Sequence, residues 1–139
     1  MDIERPMKLM TQAQRKQLIA NGEKRDQDHA PVVKWFTPDG PATWLVSELD
    51  EDGTQAFGLC DLGMGEPELG YISVAEIEAL KGGFGLPVER EMYTTLHDFP
   101  MSVYAAAARR KQAITVLHSE LKAVADERDR ERETANGTA

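Results

Sequence analysis

The sequence predicts an α+β fold: a small antiparallel sheet of four to five strands, one or two short helices packed on it, and a long C-terminal helix. Three observations predict it. Residues 31–37, 43–49 and 54–61 are short runs rich in β-branched and aromatic side chains. The links between them are too short for a crossover, so consecutive strands pair as hairpins. Glycine-rich and proline-rich punctuation gives way after Pro100 to a stretch of helical periodicity.

The elements follow in chain order. Thr11 with Gln14 makes a capping box, and Asn21-Gly22 is expected to stop the short helix it opens. Its apolar residues are Leu18 and Ile19, a narrow stripe. In the first strand Val33 and Trp35 share one face, Val32 and Phe36 the other. Residues 38–41, Pro-Asp-Gly-Pro, are a turn by composition. In the second strand strict alternation sets Leu45 and Leu49 against Trp44 and Val46. Asp50-Glu51-Asp52-Gly53 closes a hairpin into a third strand.

Residues 57–80 are the densest stretch. A strand ends in the loop 61–68, where Gly63, Gly65 and Pro67 stand among acids. A short strand follows, and Ser73 with Glu76 opens a helix whose Ile77 and Leu80 are expected to face the core before Gly82-Gly83 ends it. Residues 85–91 are compatible only with an edge strand, because Pro87 lacks the N–H a central position needs. From Pro100 one helix is expected to run to about Glu133, with Ile114, Leu117, Leu121 and Val124 as an apolar stripe. That stripe must bury against the sheet or against a second copy of the chain. The organisation predicted is a compact domain over 1–98, the helix over 99–133 and a disordered tail over 134–139.

The net charge is −8, with 41% hydrophobic and 29% charged residues, a globular composition. Its distribution is uneven. Residues 39–98 carry 13 acidic side chains against Lys81 and Arg90, a balance of −11, while both flanks are near neutral. Such a field repels phosphates and attracts basic partners or divalent cations. No apolar run reaches the length of a membrane span, and residues 1–8 contain no apolar core of a secretory signal. Cys60 is the single cysteine, which excludes an internal disulfide and suits the cytoplasm.

Gly63-Met64-Gly65 lacks the Lys-Ser/Thr of a phosphate loop and is ringed by Asp61, Glu66 and Glu68. Those three, with Asp39 and Glu48, are the candidate partner-binding residues, and the same acids are the candidate oxygen ligands of a metal-dependent enzyme. No cofactor is expected. Zinc is not expected either, because Cys60, His29, His97 and His118 are widely spaced in sequence. Asp61 beside Cys60 disfavours a thiolate nucleophile. Arg109, Arg110 and Lys111 are consecutive and fan around a helix, a poor face for a nucleic-acid groove. Trp35, Trp44, Phe57 and Tyr71 read as sheet residues, in the core or half-buried.

A family resemblance rests on particular residues. The runs Lys34-Trp-Phe-Thr-Pro-Asp-Gly, Phe57-Gly-Leu-Cys-Asp, Glu66-Pro-Glu-Leu-Gly-Tyr-Ile-Ser and Gly85-Leu-Pro-Val-Glu-Arg, with Trp44 and Glu48, resemble the bacterial family called domain of unknown function 2958 over residues 7–93. The resemblance implies a small cytosolic protein, commonly encoded on plasmids and other mobile elements, and transfers no catalytic residue. The helix after Phe99 is expected to lie outside it. The function expected is a non-catalytic acidic protein-binding or regulatory module with a basic protein partner, an accessory of a mobile element. The alternatives are a small divalent-metal-dependent enzyme using the acidic loop, and nucleic-acid binding through the C-terminal helix. Self-association through Ile114, Leu117, Leu121 and Val124 is the expected route to any homo-oligomer.

Overall fold

In the computed structural model, which describes residues 9–93 and 95–137, five antiparallel strands form one sheet. Helix α1 (Gln12–Gly22) precedes β1 (Val33–Phe36), β2 (Thr43–Leu49), β3 (Gln55–Asp61) and β4 (Glu68–Ser73). Then come α2 (Val74–Ala79), the two-residue β5 (Glu89–Arg90), α3 (Met101–Lys111) and α4 (His118–Gly137). The spatial order is β4-β3-β2-β1-β5, so β5 is the edge strand that Pro87 required. The α+β expectation holds, and the helices take both faces of the sheet.

The first face buries Val33 and Trp35 of β1, Trp44, Val46 and Leu49 of β2, Ala56 of β3 and Ile72 of β4. They pack against Leu18 of α1 and against Val74 and Ile77 of α2. The Thr11 capping box is complete, with Gln14 N–H donating to Thr11 Oγ1 at 3.0 Å and Thr11 N–H to Gln14 Oε1 at 2.9 Å. Gly22 does more than end the helix. A Cβ there would lie 2.2 Å from the Leu49 carbonyl oxygen, so its absence lets α1 lie directly on β2. Asn21 is itself inside the helix, and its amide donates to the Ser47 carbonyl at 2.9 Å.

That bond marks the point where the alternation of β2 breaks. Pairing with β3 shifts between Val46 and Glu48, a β-bulge at Ser47. Leu49 therefore joins Trp44 and Val46 instead of Leu45. Glu48 is turned to the opposite face, directly across from Phe57. The expected grouping of Leu45 with Leu49 fails because one extra residue reverses the parity of everything after it.

The second face buries Leu45 and Leu59 beneath α3 and α4. The single helix expected from Pro100 to Glu133 is two helices. Gln112 adopts a left-handed φ of 62° and caps α3. Ile114, Thr115 and Val116 are consecutive β-branched residues, which favour extended backbone. Thr115 Oγ1 then accepts from Leu117 N–H at 3.2 Å and donates to Glu120 Oε1 at 2.6 Å, organising the start of α4. The expected stripe is split accordingly: Leu121 and Val124 are buried, Ile114 is half-buried and Leu117 is 55% exposed. Because α3 and α4 share a core with Leu45 and Leu59, residues after 98 are packed with the sheet. Helix α4 continues through Gly137, so residues 134–137 of the expected disordered tail are helical and 138–139 lie outside the described residues. At the second helix, Ile77 is buried as expected, but Leu80 is 40% exposed because α2 ends at Ala79, before the Gly82-Gly83 stop. Among the described residues no helix is long and apolar enough to cross a membrane.

Candidate functional site

β1 and β3 run toward one end of the sheet, and β2 and β4 begin there, which gathers the 37–42 turn and the 62–67 loop. Loop 82–86 joins them. The 62–67 loop abuts the turn so closely that a Cβ on Gly63 would lie 2.4 Å from Pro41 Cβ. On the turn's other side Asp39 holds loop 82–86, its Oδ2 accepting from Phe84 N–H at 2.7 Å and Leu86 N–H at 3.2 Å. Gly82 is required here, because a Cβ would fall 1.6 Å from Asp39 Oδ1.

Asp61 holds the second loop from below. Its side chain is buried; Oδ1 accepts from Gly63 N–H at 2.8 Å and Oδ2 from Ile114 N–H at 3.0 Å. One carboxylate thus pins both the acidic loop and the α3–α4 connection to the end of β3. Asp61 was a candidate for partner contact, and burial with both oxygens engaged removes it from the surface. Asp39 likewise serves the interior. Glu66 and Glu68 are exposed on either side of buried Pro67.

Glu48 is elsewhere. The bulge at Ser47 carries it into the second face near the opposite end of the sheet, where it is 7% exposed. Burial raises its carboxyl above the ordinary glutamate range, against the pull of His29 and Arg25. The five acids expected to act together are therefore split into a buried anchor, Asp61, a half-buried anchor, Asp39, and an exposed pair at one end, and one buried group at the other.

What the loop end exposes besides acid is apolar. Met64 is 81% exposed, Phe84 90%, Leu62 57% and Leu86 46%. Met64 stands between Gly63 and Gly65, and Phe84 between Gly83 and Gly85. Composition alone does not single these residues out. The signal was present as a large apolar side chain set between two glycines in each of two loops, a pattern that packing alone does not call for.

The other candidates have structural employment. Cys60 lies across from Glu68, and burial first, then that carboxylate, push its thiol up to about 11, which keeps it protonated. Asp50 closes its hairpin by accepting from Thr54 N–H at 2.8 Å and Gln55 N–H at 3.1 Å. His97 and His118, distant in sequence, meet edge-to-face with ring centroids 5.0 Å apart. Among the described residues no three His, Cys, Asp or Glu side chains converge in a way that could hold a metal ion. Of the basic residues on α3 and α4, Arg110 pairs with Glu127 at 2.7 Å, Lys111 with Glu120 at 2.9 Å and Lys122 with Asp126 at 2.9 Å.

No curated protein and no solved structure matches the chain. A family does, over residues 9–115, a span that takes in the whole sheet, both pinned loops, α3 and Ile114. It extends past the 7–93 stretch that carries the resemblance and stops short of α4. The chain belongs to the family described as protein of unknown function (DUF2958).

Proposed function

We propose that the chain is a non-catalytic protein-binding or regulatory module whose contact surface is the loop end of the sheet. The observation that supports this most is the exposure of Met64 and Phe84 on loops fixed from beneath by Asp61 and Asp39. Large apolar side chains held in water gain nothing for the free protein, whereas methionine and aromatic residues at the centre of an interface supply much of its affinity. Glu66 and Glu68 sit beside them within a segment of charge balance −11, so the partner that fits is a basic one with apolar side chains of its own. Rigid support matters because a surface ordered before binding loses less entropy on association. An accessory role on a mobile genetic element, and residence in the cytoplasm, suit a module of this kind.

The reading is tested by recovering partners with the tagged full chain, with E66K/E68K and with M64S/F84S, each at low and high salt. A basic protein recovered by the wild type and lost from both variants, with folding unchanged, supports it. Equal recovery by all three chains refutes it.

A further inference from the structure

The two edges of the sheet differ in kind. At one, β5 is only Glu89 and Arg90, close after Pro87 and too short to template another strand. At the other, β4 runs six residues, pairs with β3 in unbroken register and carries neither proline nor lysine. Its hydrogen-bond phase follows from its neighbours. Val74 N–H donates to the Thr54 carbonyl at 3.0 Å, one position beyond the Gln55–Ser73 pair. Antiparallel pairs alternate between bonded and unbonded, so Ile72, Gly70 and Glu68 are the residues that bond to β3. Asp50 N–H donating to the Gln55 carbonyl at 2.9 Å gives β3 the same phase from its other side. The backbone N–H and C=O groups of Leu69 and Tyr71 therefore point out of the sheet, and among the described residues no hydrogen bond reaches them.

The side chains along this edge divide by face. Leu69 and Tyr71, opposite Leu59 and Phe57, are 42% and 60% exposed on the second face. Arg25 stands 5.8 Å from the Tyr71 ring centre and adds positive charge there. On the first face Glu68 is exposed. Next to it, a Cβ on Gly70 would meet nothing within 4 Å, and the φ of Gly70 lies outside the left-handed region. The fold does not require a glycine at this point, whereas an approaching chain gains open space. Residues 61–80 contain Asp61, Glu66, Glu68, Glu76 and Glu78 and no Lys, Arg or His. We propose that β4 is the docking edge for an extended basic segment of a partner protein, which joins the sheet as a further strand. Main-chain bonds to Leu69 and Tyr71 hold it, its basic side chains lie toward Glu68 on the first face, and its apolar ones lie beside Leu69 and Tyr71 on the second. A second copy of the chain, at net charge −8, brings the same acids to the same edge and is repelled. This docking rests on the reading of a basic partner and adds how that partner is held.

The test is hydrogen exchange read by nuclear magnetic resonance on the full chain, free and with the peptide acetyl-Lys-Val-Lys-Val-Lys-Val-Lys-amide at low salt. In the free chain the Leu69 and Tyr71 N–H groups are expected to exchange fast while those of Gly70 and Ile72 are protected. Saturating peptide should slow exchange at Leu69 and Tyr71 by roughly tenfold or more. E66K/E68K should bind the peptide roughly tenfold more weakly. The same peptide methylated on its valine nitrogens, or on its lysine nitrogens, reports the ladder. Loss of binding with the valines methylated supports an antiparallel addition, and loss with the lysines methylated a parallel one. Binding that survives both methylations overturns the proposal, as does the absence of saturable binding to the wild type. Protection of Leu69 and Tyr71 in the free chain also overturns it, since the edge is then already filled. Peptide that shifts residues 62–67 and 82–86 but leaves Leu69 and Tyr71 exchanging overturns the docking edge alone, and the reading of a basic partner stands.

Discussion

At the scale of single residues, two carboxylates carry costs of different kinds. Asp39 Oδ2 accepts from the Phe84 and Leu86 N–H groups, while its Oδ1 is buried against Gly82 with no hydrogen-bond partner among the described residues. Gly82→Ala places a carbon where Asp39 Oδ1 stands, so the loop must shift, and thermal unfolding should show a loss of about 1–3 kcal/mol. Glu48 is buried, and that burial outweighs the attraction of His29 and Arg25, so its raised carboxyl has a definite consequence for stability. The folded state favours the protonated form, so the stability Glu48 contributes is fully present below the ordinary glutamate range and is lost as pH rises through the folded value. E48Q should therefore match the wild type in acid and melt higher near neutral pH, by roughly 1 kcal/mol of relieved desolvation. Melting curves at several pH values check this, and a gap that widens toward acid contradicts it. None of this was readable in the strand pattern. Alternation placed Glu48 correctly in a strand, but a bulge leaves no periodic mark, and burial depends on which face a residue ends on.

At the scale of elements, local chemistry was legible where a residue acts on its own neighbours. The Thr11 capping box, the Asp50 hairpin, the edge strand forced by Pro87 and the extent of β2 all followed from short-range rules. The C-terminal region did not, because α3 ends without glycine or proline. Gln112 takes the left-handed turn itself, and Asp61, 53 positions earlier in the chain, captures Ile114 N–H. A long-range hydrogen bond of that sort is invisible to periodicity. Splitting the stripe separates its members sharply. Leu121→Asp puts a charge into a fully buried position and should cost at least about 3 kcal/mol in denaturant unfolding. Leu117→Asp, at an exposed position of the connection, should stay within about 0.5 kcal/mol. Equal effects would return both residues to one helix face. Beyond Arg128, whose Nη1 donates to Ser102 Oγ at 2.8 Å, α4 is charged and exposed. Removing residues 129–139 should change stability by under about 1 kcal/mol.

At the scale of the whole molecule, the acidic balance of residues 39–98 was legible from composition, but its division between two ends of the sheet was not. Sequence neighbours such as Asp61 and Glu66 differ completely in role, because one is the last residue of a strand and the other stands in a loop. What remains at the surface of the loop end is a pair of carboxylates, Glu66 and Glu68, beside Met64 and Phe84. Charges of that sort steer encounter and are screened by salt, while the apolar tips govern how long a complex lasts. The two contributions are therefore separable in kinetics. The most direct measurement is the association rate of the recovered basic partner with wild type and with E66K/E68K, taken across ionic strength. The account predicts an on-rate for the double reversal slower by roughly tenfold at low salt, converging on the wild type as salt rises. An on-rate that does not change at any ionic strength contradicts it.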